Sequence, residues 1–127
     1  MSHTVLIVDD SKLARLAISK ALTTLRPDWT RVEATNAEQA QSLIREHGAD
    51  LALLDFNMPG MNGIELAAEL RRDHPTMPIA IITANVQDAI IARAREIGAA
   101  FLPKPITEDA LGGFLSGAAL RLRQTAQ

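Results

Sequence analysis

Thirteen residues, Leu51-Ala52-Leu53-Leu54-Asp55-Phe56-Asn57-Met58-Pro59-Gly60-Met61-Asn62-Gly63, decide how this chain is read. The first four are apolar with no polar alternation, as in a strand covered on both faces of a parallel sheet. An aspartate ends the run. Pro59 then fixes one φ while Gly60 and Gly63 permit positive φ, so the chain turns, and a helical pattern begins at Gly63. The methionines of this turn, Met58 and Met61, read as exposed or equally as loop packing.

Two further apolar runs, Val5 to Val8 and Ile79 to Ile82, share that unalternating character, and Thr30 to Thr35 and Ala99 to Leu102 are weaker strand candidates. Helical patterns fill the intervals. Behind a Ser11 N-cap, the residues Ala14, Ala17, Ile18, Ala21, Leu22 and Leu25 recur at i, i+3, i+4 and i+7. A second helix starts at Asn36 and stops near Gly48, a third spans about Gly63 to Asp73, and a fourth about Gln87 to Ile97. The last follows Thr107 as N-cap and turns Ala110, Leu111, Phe114, Leu115, Ala118 and Leu122 inward, with Gly112 and Gly113 weakening its first turns. Five strands alternating with five helices predict a doubly wound (βα)5 α/β domain. The expected sheet is parallel, five-stranded and ordered 2-1-3-4-5, with helices on both faces. Ligands of such sheets bind beyond the carboxyl ends of the strands, near the switch between the first and third.

At 127 residues and 13.7 kDa the chain is read as one domain, residues 1–127, without room for an output domain. A net charge of −2 gives no electrostatic pull toward nucleic acid, and no apolar stretch approaches a membrane span. Cysteine is absent, which removes disulfides, thiolate nucleophiles and Cys-ligated metals and suits a reducing, cytoplasmic setting. His3, His47 and His74 lack ligand-like spacing and are expected to be solvated.

The strand ends carry the chemistry. Val8 is followed by Asp9 and Asp10, Leu54 by Asp55, Ile82 by Thr83, and Leu102 by Pro103 and Lys104. Singly, each reads as a turn former, a cap or a solvated charge. Together they place three carboxylates, a hydroxyl and an ammonium in one crevice. Two like charges 4 Å apart repel by about 4 kcal/mol at an effective dielectric of 20, so a retained proton or a hard cation must offset the cluster. Mg²⁺ fits better than Ca²⁺, because no loop has EF-hand spacing. An aspartate beside a cation can attack phosphorus to form an aspartyl phosphate, and Asp55 on the central strand is the candidate nucleophile. Lys104 would pair with the phosphoryl group and Thr83 would donate to it, coupling the charge to its loop.

The motifs V-D-D-S at Val8 to Ser11, L-L-D-F-N-M-P-G-M-N-G at Leu53 to Gly63, I-I-T-A at Ile81 to Ala84, and K-P at Lys104 and Pro105 closely resemble those of CheY-like receiver domains of two-component response regulators. The resemblance covers nearly the whole chain and implies the flavodoxin-like fold. It also implies that Asp55 is the phosphoacceptor and that one Mg²⁺, replaceable by Mn²⁺, is held by Asp10, Asp55 and the Asn57 backbone carbonyl, with Asp9 acting through water. Thr83 and Phe101 match the family's switch pair, Lys104 its phosphate-binding lysine, and Asn57 and Asn85 the positions that tune hydrolytic water. The Lys104-Pro105 peptide is expected to be cis. Phe101 also reads as a core residue, and Asn57 and Asn85 as turn residues. Trp29 is read as packing.

By the same resemblance the protein is a signalling switch rather than a conventional enzyme. It would take its phosphoryl group from a histidine kinase or phosphotransfer protein and bind a downstream protein through the fourth helix, fifth strand and fifth helix, a face including Ile91, Arg95, Phe101 and Arg121. A monomer is expected before activation, as a stand-alone regulator of chemotaxis or phosphorelay type; the alternative is a receiver fragment of a larger multidomain regulator. A haloacid-dehalogenase-like phosphohydrolase would need D-x-D after the first strand, where this chain has Asp9-Asp10-Ser11. A flavodoxin-like FMN binder would need a neutral phosphate loop there and more than 3% aromatics. A pseudo-receiver would be expected to lack some of the five key residues, all of which are present.

Overall fold

A computed structural model describes residues 2–125. The elements run β1 (Thr4–Val8), α1 (Lys12–Leu25), β2 (Thr30–Ala34), α2 (Ala37–His47), β3 (Leu51–Asp55), α3 (Gly63–Asp73), β4 (Ile79–Thr83), α4 (Asp88–Glu96), β5 (Ala100–Pro103) and α5 (Glu108–Thr125). Every strand pair is parallel and the order is β2-β1-β3-β4-β5. The register sets Val8 beside both Ala34 and Leu54, Asp55 beside Ile82, and Thr83 beside Pro103. The carboxyl ends of β1, β3, β4 and β5 therefore share one edge, and the side chains that follow them converge.

Each central strand divides its apolar residues between two cores, because successive side chains point to opposite faces. Leu6, Val8, Ala52, Leu54, Ile79 and Ile81 pack toward α2, α3 and α4. Val5, Ile7, Leu51, Leu53, Ala80 and Ile82 pack toward α1 and α5. Burial on both faces explains the unalternating runs in the sequence. The folded surface of 6724 Å² is what this chain length implies for a fully packed domain.

Three helices have side-chain N-caps where the sequence places them: Ser11 accepts from Ala14 N at 3.2 Å, Asn36 from Gln39 N at 2.8 Å, and Thr107 from Ala110 N at 3.1 Å. α3 is fixed more firmly than its sequence reading suggests. Asn62 accepts from Glu65 N at 2.9 Å while Glu65 accepts from Asn62 N at 2.9 Å, a reciprocal capping box. α5 continues unbroken past Gly112 and Gly113.

Some expectations are corrected. Thr35 lies outside β2, because its N–H and hydroxyl both donate to the Gln39 side chain at 2.7 and 3.0 Å. β5 is shifted by one residue, because Ala99 N donates back to Ala94 O at 2.9 Å and closes the α4 turn. Of the two readings of the turn methionines, packing is the one realised: Met58 joins the α2, α3 and α4 core, and Met61 packs against that core half-buried. His3 is not solvated. Its ring meets Trp29 edge-on at 4.9 Å and its side chain is only 10% exposed, with Asp50 at 3.8 Å. Trp29 is buried in the α1 and α5 core.

Gly63 links fold to site. A Cβ there would lie 2.3 Å from the Asp55 carbonyl oxygen, and Gly63 N donates to Phe56 O at 3.0 Å, folding α3 tightly under the end of β3. Since the neighbour is backbone, it has little freedom to yield. Gly63→Ala is expected to destabilise the domain by about 1–3 kcal/mol or more, the range for overpacking a filled interior. Urea unfolding followed by circular dichroism checks it; unchanged stability would show that the turn adjusts.

Candidate functional site

β1 delivers the first acidic pair. Asp9 continues the sheet by donating its N–H to Ala34 O at 3.1 Å, and its carboxylate turns back to accept from Ser11 N at 2.9 Å. Its residue is 1% exposed, whereas Asp10 beside it is open to solvent. Asp55, the last residue of β3, is 4% exposed, and the next N–H, that of Phe56, donates to Ile82 O at 3.0 Å. The crevice floor is thus sheet backbone, with the carboxylates standing on it.

Lys104 closes the crevice from β5. Its backbone N–H donates to Thr83 O at 3.0 Å, and the Lys104-Pro105 peptide that follows is cis. The ammonium lies 2.9 Å from Asp55 Oδ1 and 3.2 Å from Asp9 Oδ2. One cation thereby bridges two nearly buried anions from two different strands.

One carboxylate oxygen from each of Asp9, Asp10 and Asp55 lies within 4.8 Å of the others. With a single ammonium against three carboxylates, the cluster keeps the charge that a divalent cation would cancel. All-oxygen donors around a partly open crevice suit Mg²⁺, which takes one or two carboxylates and keeps several waters. Burial pushes the Asp55 carboxyl up, the Lys104 hydrogen bond draws it down, and the charges of Asp9 and Asp10 add to the rise; the net is a carboxyl above its ordinary value. Burial alone would lower Lys104, but the hydrogen bonds and charges of Asp55 and Asp9 reverse it and hold the ammonium above the usual lysine range.

Thr83, the last residue of β4, is 1% exposed, and its hydroxyl accepts from Asn85 N at 3.0 Å. Asn85 in turn accepts from Gln87 N at 3.2 Å, so this asparagine shapes the turn into α4. Asn57 is exposed in the loop after Asp55. Phe101 on β5 is half-buried, and so is Ile91 on α4, while Arg95 and Arg121 are exposed on α4 and α5. Two features escaped the sequence reading. Arg15 reaches the acidic pair from α1, and an apolar groove of about 450 Å³ opens beside Lys104, lined by Leu13, Ala17, Ile18, Pro105 and Ile106. Leu13 is 80% exposed at the groove. The hydrophobic spacing of α1 could not reveal it, because Leu13 and Leu16 fall off the core-facing stripe.

A parallel sheet whose strand ends gather three carboxylates, a threonine and a lysine forms an acidic crevice on a doubly wound domain. Residues 5–115 match the response regulator receiver domain, and the chain belongs to that family of signalling switches. The glycerol metabolism activator of Pseudomonas putida is 35% identical over 121 residues, covering 91% of this chain and 55% of that protein. The phosphate regulon transcriptional regulatory protein PhoB of Pseudomonas aeruginosa is 38% identical over 110 residues, covering 84% of this chain and 47% of that protein. This chain thus spans about half the length of those relatives. The chemotaxis protein CheY4 of Vibrio cholerae superposes with a TM-score of 0.83 at 25% identity, over 93% of this chain and 99% of that one. A CheY-like receiver domain protein from Methanospirillum hungatei reaches 0.86 over 98% and 99%; at 22% identity it speaks to the fold alone. Family membership sets aside the phosphohydrolase and FMN-binding alternatives. No helix among the described residues is long and apolar enough to cross a membrane.

The crowded charge has a consequence for stability. A carboxyl whose pKa is raised in the folded state binds its proton more tightly there, so stability falls as pH rises from the unfolded value through the folded one. Asp55→Asn removes that loss. In a chelator at neutral pH the variant is expected to melt above the wild type, and the gap should close as pH falls through the folded Asp55 value. Thermal unfolding at stepped pH checks both; a variant that melts lower at neutral pH would show that the Lys104 contact outweighs the repulsion.

Proposed function

We propose that this receiver domain accepts a phosphoryl group on Asp55 from the phosphohistidine of a kinase or phosphotransfer protein, and that the modification switches binding of a downstream protein. The observation that supports it is the Lys104 ammonium spanning Asp55 and Asp9 at 2.9 and 3.2 Å with a third carboxylate alongside. Such a site sets its nucleophile in a half-enclosed crevice beside a cation ready for the incoming oxygens.

An Asp55 carboxylate oxygen attacks phosphorus; the new O–P bond forms as the P–N bond to the donor imidazole breaks, and the imidazole leaves with the electron pair. Asp10, Asp55 and the Asn57 carbonyl would hold Mg²⁺, with Asp9 acting through water, and Mn²⁺ would serve as well. When bound, the ion supplies charge neutralisation between the carboxylates and the phosphoryl oxygens. Lys104 passes from the Asp55 carboxylate to a phosphoryl oxygen. The Thr83 hydroxyl leaves the Asn85 N–H and donates to another, pulling on the turn into α4. Phe101 turns inward with it and remodels the face that carries Ile91, Arg95 and Arg121. Asn57 and Asn85, flanking the crevice, set the access of hydrolytic water.

Incubation with acetyl phosphate, read by intact mass, tests the acceptor. One labile phosphoryl adduct is expected with Mg²⁺, a reduction of at least tenfold with chelator, and none on Asp55→Asn. An adduct of equal yield on the variant would refute the assignment.

Donor access generates a second expectation. Asp55 is nearly buried, so a protein-borne phosphohistidine reaches it only if its carrier covers the crevice rim. The groove shares Lys104 with the crevice and exposes Leu13, which fits an apolar helix face on that carrier. Leu13→Asp is expected to slow transfer from a cognate kinase by about tenfold or more, as a charge placed in an apolar contact costs over 1 kcal/mol. Transfer from acetyl phosphate should be unchanged. Equal slowing with both donors would place Leu13 outside the docking surface.

A further inference from the structure

We propose that Arg15 is a positioning residue for Asp10, fixing the exposed carboxylate of the acidic pair for the cation through the backbone on its N-terminal side. The proposal rests on the Mg²⁺ reading above. Arg15 projects from the first turn and a half of α1, with its side chain 15% exposed. Its guanidinium forks: Nη1 donates to the Asp9 backbone carbonyl at 2.7 Å, and Nε donates to Glu33 Oε1 on β2 at 3.1 Å. That carbonyl belongs to the peptide unit joining Asp9 to Asp10. Because the unit is planar, holding its oxygen fixes the direction in which the Asp10 Cα leaves the sheet.

The peptide unit on the other side of Asp10 is held too, since Ser11 N donates to Asp9 Oδ1 at 2.9 Å. Asp10 is therefore clamped through both flanking peptides. Its own carboxylate, open to solvent, makes no hydrogen bond or ion pair among the described residues. Asp9 and Asp55 are held directly by Lys104, so Asp10 is the one member of the cluster whose aim depends on its backbone. The fork anchors that backbone to α1 and β2 at once, a geometry a lysine cannot reproduce.

The sign of the effect separates positioning from charge. A guanidinium near a cation site repels the ion, so removing it for electrostatic reasons alone would tighten Mg²⁺ binding. If it positions Asp10, removing it weakens binding. Outer-sphere residues that orient metal ligands are typically worth about tenfold or more in affinity, and Arg15→Met is expected to weaken Mg²⁺ binding by about that factor. Arg15→Lys, which keeps the charge and can satisfy only one acceptor, should weaken it by less.

The experiment is isothermal titration of the unphosphorylated chain with Mg²⁺ at fixed ionic strength, on wild type, Arg15→Met, Arg15→Lys and Asp10→Ala. Thermal unfolding in chelator confirms that each variant is folded. Weaker binding by Arg15→Met and a smaller loss in Arg15→Lys support the proposal. Unchanged or tighter binding by Arg15→Met, with Asp10→Ala strongly impaired, overturns it and leaves the Mg²⁺ reading standing. Equal affinities of wild type and Asp10→Ala would instead refute the metal reading, and the proposal with it.

Discussion

The Lys104 ammonium between Asp55 and Asp9 is the interaction on which the site depends. A parallel sheet ordered β2-β1-β3-β4-β5 sets the ends of β1 and β3 side by side, and the aspartates that follow them would repel without a cation. One cation from β5 only partly offsets them. Burial and the neighbouring carboxylates still hold Asp55 above the ordinary carboxylate range. The domain therefore stores unfavourable negative charge at the point where a divalent cation would offset it.

That stored charge is wired to the backbone at few points. Lys104 N donates to Thr83 O, the Thr83 hydroxyl accepts from Asn85 N, and Asn85 accepts from Gln87 N at the start of α4. The chain of contacts leads from crevice to helix in three bonds. A hydroxyl committed to a turn can change partner without crossing the core, which suits a two-state element better than a buried rearrangement would. Beside it, the groove along α1 that exposes Leu13 shares Lys104 with the crevice.

Much of this was legible in the sequence because topology alone places strand-end residues. Once Val5 to Val8, Leu51 to Leu54 and Ile79 to Ile82 are read as buried parallel strands, the topology brings Asp9, Asp55 and Thr83 together, and Lys104 follows from the next strand, 95 residues from Asp9. What escaped depends on contacts that periodicity does not encode. Met58 and His3 look like loop and terminal residues, yet Met58 joins the α2, α3 and α4 core and His3 meets the Trp29 ring edge-on. Arg15 reads as a solvated helix charge until β2 brings Glu33 beside it and the end of β1 offers a carbonyl. The Asn62 and Glu65 box is the exception, because its spacing is written in the sequence.

Of the three neighbouring carboxylates, Asp55 alone is proposed to receive the phosphoryl group. Borohydride reduces an aspartyl phosphate to homoserine, which peptide sequencing by mass spectrometry locates residue by residue. After phosphorylation in Mg²⁺ and reduction, homoserine is predicted at position 55 alone. Homoserine at Asp9 or Asp10, or distributed among the three, would contradict the account.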